Sequence, residues 1–270
     1  MNPYQAYVES VRDATHAARS IKPQRQQLPI AESAARCLIF APHPDDECII
    51  GGLPLRLMRE AGYQVVNVPV TFGSNPDRQA ARSSELDDAC AYLGWAIDRE
   101  PAGVEAMDAD GIAAVIRRWQ PQVIVFPHDG DWNVRHISTH HMVVEGLQQL
   151  GDDFDCLTVE SEFWGAMDDP NLIVALDATM VADLVAATAL HVEEVARNPY
   201  HLMLPAWMQD NVRRGGELVG GQGTAAPDFD FATLYRLRRW TNGAFAPVLD
   251  GGTQIGLGSD ALRKLGLGSQ

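Results

Sequence analysis

Three short apolar runs, each ending abruptly in polar or turn-forming residues, set the rhythm of the chain: CLIFAP at 37–42, QVVNVPVTFGS at 64–74 and QVIVFPHDG at 122–130. Runs this short, bounded by Pro, Gly, Ser or Asp, predict buried strands. Between them, LPLRLMREAG (53–62) and ARSSELDDACAYLG (81–94) carry apolar residues at helical spacing and stop at a glycine. IAAVIRRW (112–119) predicts another helix just before the third strand. Strands alternating with helices of this length imply βαβ units. The predicted class is therefore α/β, Rossmann-like, a mostly parallel sheet with helices on both faces. In such sheets functional groups gather at the carboxyl ends of the strands, where the crevice opens.

The flanks follow less regular patterns. Residues 3–20 read as an amphipathic helix, followed by the polar stretch IKPQRQQLP. LTVESEFW (157–164) and NLIVALD (171–177) predict two more strands, and ATMVADLVAATALHVEEVAR (178–197) one long helix. From 198 to 229 the chain reads as loop, rich in Pro, Gly and Asn, before FATLYRLRRW and a Gly-rich tail. There is no internal repeat and no convincing linker. The expected organisation is an N-terminal helical extension over 1–36, a single α/β domain over 37–250 and a C-terminal tail over 251–270.

Composition narrows the function classes. With 270 residues, 46% hydrophobic and 21% charged, the chain can bury a sizeable core. The net charge of −15 speaks against nucleic acid and anionic membranes as partners, since both want a basic surface. No apolar run is long enough to predict a membrane span. The N-terminus has charges where a signal peptide needs an apolar stretch, so the expected compartment is the cytoplasm. Four cysteines without CxxC spacing read as buried reduced thiols.

The sharpest chemical signal is Pro42-His43-Pro44-Asp45-Asp46-Glu47, directly after the first strand. Carboxylates packed into a turn behind an apolar run are costly to bury unless a cation or a donor compensates. A divalent metal does so simply, and imidazole with carboxylate suits zinc. A solvated turn with Asp45 or Asp46 as helix cap is the plain alternative. The third strand leads to His128-Asp129-Gly130-Asp131 and then to Arg135-His136-Ile137-Ser138-Thr139-His140-His141. Positive charge is unfavourable at a helix start, so histidines concentrated there point to a site. Spacing alone leaves His136, His140 and His141 open as partners of the first loop.

Taken together, these segments resemble the PIG-L/LmbE-type zinc-dependent de-N-acetylases, which remove acyl groups from amino sugars and related amines. The resemblance rests on APHPDDE (41–47), IIGG (49–52), TFGS (71–74), Arg82-Ser-Ser-Glu85, Leu93-Gly94 and the His-rich segment 136–140. Weaker matches are Phe163-Trp164, Pro170-Asn171, Asp177 and Ala189-Leu190-His191. It implies His43 and Asp46 as metal ligands and Asp45 as the base that activates water. The family's second motif is His-x-x-His, whose later histidine is the third ligand and whose earlier one assists catalysis. Here the spacing is His136-x-x-x-His140, so the carry-over assigns His140 as ligand, with His141 as rival, and His136 as acid or oxyanion donor. Glu193-Glu194 stands where the family often has Ser-Gln.

Arg82, Asp131 and Trp132 are the expected substrate contacts, with an Arg82–Glu85 helical pair and a Trp132 lid as the structural alternatives. Gly51 and Gly52 are expected to let a helix approach the sheet. His191 is either a core histidine or part of the site. Segment 198–217 is either a pocket wall or an oligomer contact. The resemblance implies Zn2+, or another divalent metal, as cofactor. It implies a small-molecule or glycan substrate with an N-acyl amine, and it allows a homo-oligomer. An amidase acting on a thiol-sugar conjugate or a non-sugar amide, and a non-catalytic sugar-binding protein, are the competing readings.

Overall fold

The computed structural model describes residues 2, 4–18, 33–99, 107–163 and 165–267; IKPQRQQLP and Trp164 lie outside them. The three apolar runs form β1 (Arg36–Ala41), β2 (Gln64–Pro69) and β4 (Val123–Pro127), joined by the short β3 (Ala96–Ile97) and by β5 (Cys156–Ser161). These five are parallel neighbours in the order β3-β2-β1-β4-β5. Period-two alternation divides each strand between two cores. In β1, Cys37, Ile39 and Ala41 face one side, while Leu38 and Phe40 face the other.

Helices cover both faces, as the sequence predicts. α2 (Asp46–Ile49), α3 (Gly52–Ala61), α4 (Pro76–Leu93) and α7 (Ala178–Ala189) pack on the first core, while α5 (Ala109–Trp119) and α6 (Val134–Gln148) pack on the second. Local chemistry sets their ends. Asn75 caps α4 through Asp77 N ahead of Pro76, Asp108 caps α5 through Gly111 N, and Asn133 caps α6 through Arg135 N. α3 approaches the sheet closely: a Cβ on Gly52 would lie 2.6 Å from Thr233 Oγ1. The amphipathic N-terminal helix α1 (Gln5–Ala18) leaves Tyr4, Tyr7, Val8 and Val11 exposed.

The C-terminal half departs from expectation in three places. The single helix expected over 178–197 is broken, giving α7 and α8 (Val192–Arg197). The break falls at His191, which is fully buried against Glu47 and turns the chain there. The stretch read as loop contains a 3-10 turn (Tyr200–Met203) and α9 (Leu204–Gly220). Its glycines suggested loop but serve packing: a Cβ on Gly215 would meet Ile173 Cδ1 at 2.5 Å. Third, the segment expected as a tail continues the sheet. β6 (Leu172–Leu176) and β7 (Phe231–Thr241) complete the order β5-β7-β6-β9, with β9 (Thr253–Ile255) parallel to β6 and β8 (Ala244–Pro247) on β7. The fully buried Arg56 ties that segment down, donating to Ile255 O and Ser259 O, and α10 (Ala261–Lys264) follows.

The chain runs outward from β1 through β2 to β3, then crosses back to place β4 on the other side of β1. The crevice at such a switch point is where ligands sit in open α/β sheets. The loops after β1 and β4 both open there.

Candidate active site

The loop after β1 is held in a strained form. Asp45 takes φ 116°, ψ −33°, a positive φ rare for a residue with a Cβ. Its backbone N donates to Glu47 Oε2 at 3.0 Å, and Glu47 Oε1 lies 2.9 Å from His191 Nε2. Glu47 and His191 are both fully buried, so the pair forms an internal brace under Asp45. Strain of this kind persists where the surroundings over-determine it, typically at functional sites.

That conformation presents three groups to one point. Asp46 Oδ2 accepts from His43 N at 2.9 Å and lies 3.3 Å from His43 Nδ1 and 3.4 Å from His136 Nε2. One donor atom from each of His43, Asp46 and His136 falls within 4.8 Å of the others. His136 is fully buried, and its Nε2 makes no hydrogen bond. Its Nδ1 faces Asp131 Oδ2 at 3.1 Å, the carboxylate-imidazole arrangement that orients a metal-ligating histidine. Two imidazoles, one with an orphaned ring nitrogen, and one carboxylate fit a divalent metal with a further open position.

The electrostatics agree with that donor set. Burial alone would lower the basicity of His136, but Asp46 and Asp131 raise it to about 10. Burial would raise Asp46, yet His136 and His43 hold it well below the usual carboxylate range. The cluster thus favours positive charge at its centre. Asp45 differs. Burial and the neighbouring Asp46 push it up to about 8, against the opposing pull of His191, Tyr200 and Arg82. The Tyr200 hydroxyl donates to Asp45 Oδ2.

A cavity of about 290 Å³ opens over this cluster. His43, Asp45 and Asp46 line it together with Arg78, Arg82, Arg197, Glu194, Asn133 and Tyr200. Arg82 donates to Phe72 O and Pro44 O and pairs with Glu194, not with Glu85. Glu85 Oε1 accepts from Glu193 N. Gly73, at φ +91°, is required beside it, because a Cβ there would stand 2.4 Å from Arg82 Nη1.

The expected residues therefore separate. His43, Asp45, Asp46 and Arg82 come together at the cavity. His136 also reaches the cluster, in the place expected of His140. His140 is held elsewhere: its Nδ1 lies 3.0 Å from Pro127 O and its ring packs on Phe126. His141 is exposed on the far side of α6. The reason is helical phase, since residues four apart differ by about 40° around the axis at 3.6 residues per turn. Asp131 is buried against His136 rather than facing the cavity, and its Oδ1 accepts from Asn133 N. Trp132 is 70% exposed and is not among the cavity's lining residues. Sequence reasoning missed Tyr200, Arg78 and Arg197, and marked Glu194 only as a departure from the family's Ser-Gln. Tyr200 sits in the stretch read as loop, and the two arginines carry no motif.

Residues 38–147 match the family model described as PIG-L, GlcNAc-PI de-N-acetylase. That stretch of the chain is similar to a PIG-L domain. That match spans β1 to α6 and so includes all three residues of the cluster. No curated protein matches the chain in sequence. Among solved structures, the chain is similar to N,N'-diacetylchitobiose deacetylase from Pyrococcus horikoshii, at 15% identity and TM-score 0.55, covering 93% of this chain and 98% of that one. It is also similar to GalB, the 4-carboxy-2-hydroxymuconate hydratase from Pseudomonas putida KT2440, at 18% identity and TM-score 0.57, covering 80% and 98%. A zinc-inhibited form of the teicoplanin deacetylase Orf2 aligns at 14% identity and TM-score 0.57, covering 80% and 100%. At these identities the likeness establishes the fold. The reaction is read from the site.

Proposed function

We propose that this protein is a metal-dependent hydrolase that removes an N-acyl group, acetyl in the simplest case, from an amino sugar or glycoconjugate. The observation that carries the reading is the cluster of His43, Asp46 and His136 beside an Asp45 raised to about 8, with His43, Asp45 and Asp46 lining one cavity. We assign those three residues as ligands, zinc being the first candidate and another divalent ion the alternative. A bound ion of this kind lowers the pKa of water toward about 7 and polarises an acyl carbonyl.

The remaining steps belong to the chain. Asp45 accepts the proton of the attacking water and returns it to the departing amine. A carboxyl poised near neutrality suits both directions of transfer. Tyr200 holds Asp45 through its hydroxyl and closes the cavity on that side. Asp131 keeps His136 in the tautomer that leaves Nε2 free for the ion. With His136 as ligand, the position three residues earlier, where the family has a second histidine, holds Asn133. Its side chain is engaged with Arg135 N, so proton traffic rests on Asp45.

The test is acetate release from N-acetylated amino sugars by protein reconstituted separately with zinc, iron or cobalt, with metal content measured alongside. Turnover abolished by a chelator and restored by metal supports the reading. Stoichiometric metal without turnover of any acylated amine, sugar or not, would replace it with a binding protein of the same fold.

A further inference from the structure

Resting on the deacylase reading, we propose that the arginine-lined wall of the cavity is an anion subsite, and that the substrate carries a carboxylate or phosphate. Arg78, Arg82 and Arg197 all line the cavity in a chain whose net charge is −15. Glu194, 3% exposed, is the hub: it pairs with all three guanidinium groups. Arg78 Nε also reaches the half-exposed Glu193 at 3.2 Å. Three guanidinium groups thus gather on the carboxylates of Glu193 and Glu194.

Donors remain on these side chains. Arg82 is 8% exposed, and its Nε has no hydrogen-bond partner. Arg78 Nη1 and Arg197 Nε and Nη1 make no bond to any described residue. Guanidinium forks recognise carboxylate and phosphate through paired, charge-assisted hydrogen bonds. Glu194 holds the three side chains in place in advance, which lowers the ordering cost of binding. The cap residues of two long helices, Asn75 of α4 and Asn133 of α6, line the same cavity, so the positive ends of both helix dipoles add to the field there. Binding there would hold the acidic group at the arginines and leave the acyl amide to the cluster.

The experiment compares binding of three amines to the metal-loaded protein by calorimetry: neutral glucosamine, glucosamine 6-phosphate and muramic acid, a carboxylate. One or both anionic amines should bind about tenfold more tightly than glucosamine, as charge-assisted hydrogen bonds warrant. Whichever wins identifies the anion. In Arg78→Gln and Arg197→Gln, singly and together, that ratio should fall toward one, and added salt should erode it in the wild type. Equal binding of all three amines, or a preference that survives the double variant, overturns the subsite. The same ratio is then read as kcat/KM on the N-acetylated forms. If none is hydrolysed while the binding preference holds, the deacylase reading fails and the anion subsite stands. If neutral and anionic forms are hydrolysed equally well, the deacylase reading stands and the subsite fails.

Discussion

Asp131 Oδ2 lies 3.1 Å from His136 Nδ1, and this contact turns the other ring nitrogen toward Asp46. Metal affinity in the proposed site should therefore depend on a residue that never touches the ion. His136→Ala should lose the metal. Asp131→Asn should weaken binding by roughly 10–100-fold, the usual effect of removing a carboxylate behind a ligating histidine. His140→Ala should keep its metal, because His140 serves Pro127 O instead. Equilibrium dialysis with metal analysis distinguishes the three, and metal loss in His140→Ala would return that residue to the ligand set.

Asp45→Asn should retain metal while kcat falls by roughly 10²–10⁴-fold, the range of general acid-base help. The strained φ of 116° offers a second readout at this position. Asp45→Gly should be more stable than Asp45→Ala by about 1 kcal/mol, since glycine adopts positive φ without steric penalty. Urea unfolding of the two inactive variants makes the comparison, and equal midpoints would show the loop relaxes.

Tyr200→Phe should shift the pH-rate profile. The Tyr200 hydroxyl hydrogen bonds to the Asp45 carboxylate and so opposes the upward push of burial and Asp46. Without it the ionised form is less favoured and the pKa rises. The limb on which activity grows as Asp45 deprotonates should move to higher pH. A profile unchanged in position would remove Tyr200 from the base's environment.

Metal uptake should release protons. His136 is raised to about 10 in the ion-free cluster, so its ring is protonated below that pH and must lose the proton to ligate. Calorimetric titration at pH 7 in buffers of different ionisation enthalpy should give a release of at least one proton per metal. The release should fade as pH climbs through about 10, where His136 is already neutral. A release near zero at pH 7 would mean that His136 is not a ligand.

The sequence alone determined the parallel sheet and the loops that carry the chemistry. Both are local signals: apolar runs that stop at polar turns, and ionisable residues packed into two of those turns. His43, Asp45 and Asp46 could be named because they sit within one turn after one strand. His136 and His140 could not be ranked from spacing, because the choice depends on the phase of α6 against β4 and on which carbonyl or carboxylate each ring meets. Tertiary packing made that choice, giving Pro127 O to His140 and Asp131 to His136. It also decided what composition hid. Glycines that read as loop pack α9 tightly on the sheet, and an apparent tail becomes β9 through the buried Arg56. Tyr200, 155 residues from Asp45 in sequence, reaches it only once the chain has folded back over the crevice. Contacts of such separation leave no periodicity to read, because each residue's neighbours in sequence impose nothing on its partner across the site.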